Sequence, residues 1–576
     1  MHKRLWLVAG VAVALLAVGA SASATTSSSS SAKLAAAPFA QSWANVPRTP
    51  AGRKAKSVLV FGMEQDVTGF NVNEESQSSY WAGITGITPT MRGNYVVDNK
   101  GDYHLDLATS VKATPKSLSI TIRPDAYWYW GSHKKAPVTY KDYVYTWQQI
   151  VNKANTPAST AGYDQITGFT HTGQKQITFQ WAKPFADYQD LFGWVYPSQA
   201  VAGQNWNTLW ANCVCGNDGQ PVSDGAFYVS NYSRGQGLTL KANPYWYGKK
   251  PGLKEVDFKL ITDTNSEIQA MRGGEVDAIA PSPQTALSQL VHQSGLVYSS
   301  IPGFVQEHLD LNEGGTANPL LKQLWFRQAL ALSMNRTSLI KALYAQIAPG
   351  LKPLNNPYYE LGTNAVPYFN EYAFSQKKSI ALFKAHGCTG GPSAPTRNNS
   401  SVWTCGGQKA ELRFTTTAGN QRRATSAAIF TQQLQAVGVK LDPVFMPANP
   451  NFFGQALPTH DFDIGEYAWQ GGADPSGFDA AYQCQDNAKN LGGQNYKLYC
   501  NKTVDALIKK GESDLDPKDR TATYQKAAKL VAHEVAVVPL YAPPQILIHK
   551  TAVKGMETSN NPTLAGPTWN LEQWHW

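Results

Sequence analysis

Few residues in this chain stand at a spacing that bond chemistry would need. Helix-borne zinc hydrolysis calls for His-Glu-x-x-His, an acyl-transfer elbow for Gly-x-Ser-x-Gly, and a phosphate cradle for Gly-x-x-x-x-Gly-Lys; none occurs here. The Asp and Glu residues show no recognisable pairing of the kind that glycoside hydrolysis uses. Cys213-Val214-Cys215 would need two further ligands nearby to hold a metal, and direct pairing across one residue is strained. What remains is recognition chemistry. The chain is rich in Trp and Tyr, whose flat faces suit peptide side chains, sugar rings or cations. Gly471-Gly472, just after Trp469, either lets backbone approach a ligand closely or makes a tight turn.

The elements that must position such residues alternate between strand and helix. Ser57 to Gly62 has a buried-strand pattern, and Gln176 to Trp181 is a strand ended by Pro184. Thr139 is a natural N-cap with Asp142 in capping-box position. From Asp224 to Ala280 a hairpin (Ala226 to Val229, Leu238 to Leu240) turns through Ser233 to Gly237, and Asn243-Pro244 stops it. A strand at Val256 to Ile261 follows, then a helix capped by Asp263 or Thr264 and ended by Gly273-Gly274. Pro319 to Tyr344 reads as a long amphipathic helical region. Strand Glu411 to Thr417, helix Arg423 to Val437 and strand Val439 to Phe445 form an α/β unit closed by Gly438. Asp516 caps a helix from Pro517 to His533, and Val537 to Tyr541 is a strand.

This order resembles the dipeptide and oligopeptide class of extracytoplasmic solute-binding proteins, family 5, which serve ABC importers. Gly225, Tyr228, Gly237, Asn243, Pro244, Trp246, Pro251, Gly274, Glu275 and Asp277 carry the likeness in one block. Gly131, Pro137, Val138, Thr139, Asp142 and Val144 carry it in another, where Tyr127 to Trp130 and Lys134-Lys135 depart from the pattern. Trp325 to Arg336 is a third, in which Arg327 reads as a tie between helix ends and loops.

The resemblance implies an α/β, bilobal periplasmic-binding-protein-like fold (type II, cluster C) with an extra subdomain. Residues 51-90, 200-304 and 543-576 would form lobe I, 91-199 the subdomain and 305-542 lobe II. Gln306 to Asn312 would be the crossing strand into the second lobe and Val537 to Tyr541 the strand returning to the first, so that two crossing segments make a hinge. It also implies a monomeric, non-enzymatic receptor without cofactor or metal, whose partners are a small solute, an oligopeptide, and the permease subunits, with no nucleic acid. The cleft would draw on Glu64, Asp66, Glu75 and Tyr80 in the first lobe, and on Asn355, Asn356, Tyr358, Tyr467, Trp469, Gly471, Gly472, Ala473, Asp474, Asn495 and Tyr496 in the second. Trp469 and Pro475 match the family's pocket loop, but Gly471-Gly472 stand where its peptide binders carry an Asp that anchors the ligand ammonium. Either Asp474 takes that role or the solute lacks a free amino terminus. The competing readings are a secreted hydrolase such as a glycosidase, and an oligosaccharide-binding member of the same fold.

Residues 1-24 read as a signal peptide, with Lys3-Arg4, an apolar core and Ala22-Ser23-Ala24, and residues 25-50 as a flexible leader. The protein is therefore expected outside the cytoplasm, and no cysteine adjoins the cleavage site to take a lipid. Six cysteines suit that compartment. Cys388 with Cys405, and Cys484 with Cys500, bracket short loops as disulfides would; sequence leaves the full connectivity open. The net charge of +9 is scattered, which argues against a nucleic-acid stripe.

Overall fold

The computed structural model describes residues 57–74, 76–131, 134–359, 364–471, 474–484 and 494–576. Residues 1-24 and 25-50, together with Glu75, Gly472 and Ala473, lie outside these.

Val58–Met63 is the middle of a seven-stranded sheet. It runs parallel to Glu255–Leu260 on one side and Ala278–Ile279 on the other. Flanked on both edges, it buries Leu59, Phe61 and Met63 fully, as its unbroken apolar run requires. The sheet continues outward through Gly237–Ala242 to Phe227–Ser233, and on the other edge through Pro544–Lys550 to Leu296–Pro302.

The block from Asp224 to Ala280 has a mechanical explanation residue by residue. Gly237 has φ +135°, and a Cβ there would sit on the Phe258 carbonyl oxygen. Asn243 donates to the Gly225 carbonyl at 2.7 Å and accepts from the Tyr245 amide at 2.8 Å, fixing the loop after the hairpin. Gly274 caps the Thr264–Gly273 helix in the left-handed region. Asp277 accepts from the Val60 amide at 2.9 Å and from Lys550 Nζ at 2.6 Å, joining three strands.

Beside this sheet, a four-stranded antiparallel sheet, Ala108–Thr114, Ser117–Ile122, Gln176–Trp181 and Ile166–Thr172, forms the subdomain with the helix Tyr140–Val151. That helix starts with the expected capping box of Thr139 and Asp142. The second lobe holds a five-stranded sheet ordered Lys440–Met446, Glu411–Thr417, Ile464–Gln470, Val305–Leu311, Val537–Tyr541. Pro517–His533 is a helix capped by Asp516, as the sequence indicates. The helical region from Pro319 to Tyr344 is divided: a short turn at Pro319–Lys322 precedes helices Leu324–Ser333 and Arg336–Tyr344. Met334 is extended, and the Asn335 side chain accepts from the Ser338 amide to start the second helix.

The chain crosses between lobes twice, from Pro302 to Val305 and from Tyr541 to Pro544. The crossings touch where the Gly303 amide donates to the Pro543 carbonyl at 3.0 Å. Leu296–Pro302 and Ala278–Ile279 are both antiparallel to Pro544–Lys550, so Leu296–Pro302 runs with the parallel strands and leaves the sheet at their C-terminal edge. In the second lobe Glu411–Thr417, Lys440–Met446 and Ile464–Gln470 are parallel to one another and antiparallel to the departing Val305–Leu311. Their C-terminal ends therefore return toward the hinge. The two lobes confront each other with the strand edges where α/β sheets place ligands.

Candidate functional site

On the first-lobe edge, Glu64 follows strand Val58–Met63 and is pinned. One oxygen accepts from the Ser282 amide and hydroxyl at 2.9 and 2.8 Å, the other from Thr264 Oγ1 at 3.3 Å. Asp66 likewise accepts from the Gly235 amide at 2.6 Å and Tyr232 Oη at 3.1 Å. Tyr80 packs edge-on to Trp81 and accepts from Gln545 Nε2 at 3.2 Å; burial pushes its hydroxyl up to about 12, so it stays neutral. These groups shape the edge by holding loops together.

On the second-lobe edge, strands Val305–Leu311 and Ile464–Gln470 pair with Gln306 opposite Trp469 and His308 opposite Tyr467. Alternation puts Gln306, His308, Asp310, Tyr467 and Trp469 on one face. Trp469 is half-buried and near-parallel to both His308 and Tyr496, each with centroids 6.0 Å away. Tyr467 lies beneath, fully buried, its hydroxyl donating to Asp310 at 2.5 Å. Asp310 also pairs with Lys497 at 3.2 Å, both side chains wholly buried. Burial lowers the His308 imidazole below its ordinary value, so the stack is uncharged at neutral pH. The result is a rigid aromatic shelf braced from below by a neutralised ion pair. Gln306, at the hinge end of that shelf, is fully buried and neither of its side-chain polar atoms has a hydrogen-bond partner.

Behind the same sheet, Arg423 at the start of helix Gln421–Gln435 donates to Glu307 at 2.6 Å and to Thr417 Oγ1 at 2.8 Å. Glu466 is buried beside them and held well above the usual carboxylate range, by burial first and then by the Glu307 charge.

The remaining expected residues divide between scaffold and seam. Asn355 accepts from Arg336 at 2.8 Å, and Asn356 folds a turn around the Tyr358 and Tyr359 amides. Tyr358 is buried in a cluster with Tyr482 and Tyr524. Asn495 is buried and donates to the Gln483 and Tyr499 carbonyls at 2.8 and 2.6 Å, so it fixes a loop and leaves the shelf to Tyr496. The Gly471 amide donates to the Phe304 carbonyl at 2.6 Å, which ties the loop after Trp469 to the crossing. Asp474 caps the Pro475–Phe478 turn and is gripped by Arg520 through Nη2 at 2.8 Å and Nε at 3.2 Å. Arg327 ties Leu321, Glu534 and Glu313 together, as expected of a structural arginine. Cys388 bonds Cys405, Cys484 bonds Cys500, and Cys213 bonds Cys215.

Sequence reasoning missed Gln306, His308 and Arg520. The first two were legible in principle, since the alternation in Gln306 to Asp310 sets them on the face that Trp469 occupies. Arg520 had no local signal: its lobe-I partner Asp187 is 333 positions away.

Residues 102–490 match the bacterial extracellular solute-binding proteins, family 5. Among curated proteins, the chain is similar to the oligopeptide-binding protein OppA of Mycobacterium tuberculosis, 24% identical over 453 residues covering 76% of this chain and 71% of that one. Among solved structures it is similar to AppA of Bacillus subtilis in complex with a nonapeptide, with TM-score 0.59, 20% identity, and 90% and 98% of the two chains covered. It is also similar to NikZ of Campylobacter jejuni in complex with Ni(L-His), with TM-score 0.65, 18% identity, and 91% and 100% covered. At these identities the solved structures speak to the fold, and their different ligands separate fold from specificity. The chain belongs to the bacterial extracellular solute-binding proteins, family 5.

Proposed function

We propose that the protein captures an oligopeptide between its lobes and delivers it to the permease of an ABC importer. The observation that carries the ligand class is the shelf of His308, Trp469 and Tyr496, uncharged and rigid, at the edge where the lobes meet. Such a surface accepts side chains of varied shape, and a peptide backbone can bond the orphan amide of Gln306. The oligopeptide-binding relative supports the same class.

Binding acts by population shift: a ligand touching both lobes favours their closed arrangement, and no bond is made or broken. In this reading the lobe boundaries fall in the crossings, at 304/305 and 542/543, and the protein works as an exported monomer. Asp474 is saturated by Arg520 and its own turn, so the ligand's amino terminus is held elsewhere or is blocked.

Native mass spectrometry of the purified protein mixed with a tryptic digest of casein tests this reading. One peptide per chain is expected. Adducts with maltooligosaccharides and none with peptides would overturn the ligand class.

A further inference from the structure

Away from the hinge, the lobes meet a second time. Asp187, in the turn after the subdomain strand Gln176–Trp181, reaches two elements of the second lobe. Arg520 of helix Pro517–His533 donates to its carboxylate, and Ser476 Oγ donates to it at 2.6 Å. The same guanidinium forks onto Asp474 and gives its remaining nitrogen to the Gly511 carbonyl at 2.5 Å. Arg520 is almost wholly buried, while Asp187 and Asp474 each keep 19% of their side-chain surface.

The charges do not balance. Two carboxylates share one guanidinium across a seam that opens whenever the lobes part. The surroundings add more acid. Asp190, on the exposed rim of the Asp187 turn, accepts from Tyr103 Oη; Asp479, buried behind Arg520, accepts from Tyr524 Oη; and Asp516 caps the helix that carries Arg520. Bringing these groups together is least costly if one carboxyl is neutral. With the lobes apart, water solvates each carboxylate and that incentive vanishes.

We propose that Asp187, Arg520 and Asp474 form a proton-linked clasp: the lobes take up one solvent proton as they close here, so mild acidification holds them together and alkalinity eases release. This rests on the reading of the protein as a hinged receptor and adds a regulator to it. The energetics agree in direction. Burial, and next the Asp474 charge, push the Asp187 carboxyl up to about 7 from an ordinary 3.8, with Arg520 pulling the other way. A group whose affinity for protons is higher in the closed form favours closure at pH below that window and loses the advantage as pH rises through it. Asp187→Asn imitates the protonated acid permanently.

Small-angle X-ray scattering of the purified protein at pH 8 and pH 5, without added ligand, reads the closed fraction directly. The closed-to-open ratio of the wild type rises roughly tenfold or more from pH 8 to pH 5. Asp187→Asn is more closed than wild type at pH 8 and changes little with pH. Arg520→Ala is more open at both. A wild type that does not respond to pH, or an Asp187→Asn variant that responds as wild type does, overturns the clasp. If wild type ignores pH while Arg520→Ala opens, the hinge stands without proton linkage; if no variant or pH changes the scattering, hinge and clasp fall together.

Discussion

At the scale of single residues, what each side chain can offer a ligand depends on what it is already bonded to. Trp469 is half-buried beside His308 and Tyr496, so Trp469→Ala should weaken peptide binding by roughly 1 to 2 kcal/mol, about tenfold, in isothermal titration. Asp474→Asn should leave that affinity nearly unchanged at a pH where the lobes are already closed, since its carboxylate is occupied by Arg520. Glu267 offers a pH test of stability. It is fully buried with neither oxygen hydrogen-bonded, and burial, then the charge of Glu64, raises it from 4.5 to about 9. The folded protein therefore holds a proton that the unfolded chain loses, and stability falls as pH rises from about 4.5 toward about 9. Glu267→Gln should raise stability at pH 8 by roughly 1 to 3 kcal/mol and by almost nothing near pH 4.5, measured by urea unfolding. The structural character of Arg327 was legible in the sequence, because it sits in a local pattern. The sequence could not assign Asp474, whose role depends on an arginine from another element.

Elements were the most legible level. Caps and breakers at Thr139, Asp263, Gly274, Asp516 and Pro517 mark helix ends by short-range chemistry that a single strand of text contains. The break at Met334 was not readable, because the apolar spacing runs across it and only the Asn335 cap, one polar residue among many, interrupts the helix. Two element-level consequences follow from close approach and loop closure. A Cβ on Gly303 would come within 2.8 Å of the Pro543 carbonyl, so Gly303→Ala should force the crossings apart, at a cost of roughly 1 to 3 kcal/mol in thermal unfolding. Cys388 and Cys405, 17 positions apart, close a loop in the second lobe; replacing both by Ser should cost that lobe about 3 kcal/mol, seen as an earlier calorimetric transition.

For the whole molecule, sheet order sets where the chain passes from one lobe to the other. The Leu296–Pro302 strand leaves the first lobe at the C-terminal edge of its parallel strands, and the second lobe's parallel strands end facing back. Glu64, tied to Thr264 and Ser282, follows a first-lobe strand at that edge, and Gln306 pairs with Trp469 at the hinge end of the second-lobe sheet. Family patterns exposed this architecture in the sequence, since they record packing constraints such as those on Gly237 and Asp277. The seam between Asp187 and Arg520 was invisible there, because interlobe contacts depend on how two finished units meet.

The most direct test of a peptide closing both lobes is hydrogen–deuterium exchange with and without a saturating casein tryptic digest. Simultaneous protection is expected of Ile261 to Ser266 in the first lobe and of Val305 to His308 with Ala468 to Gly471 in the second. Protection confined to one lobe, or none at all, would contradict it.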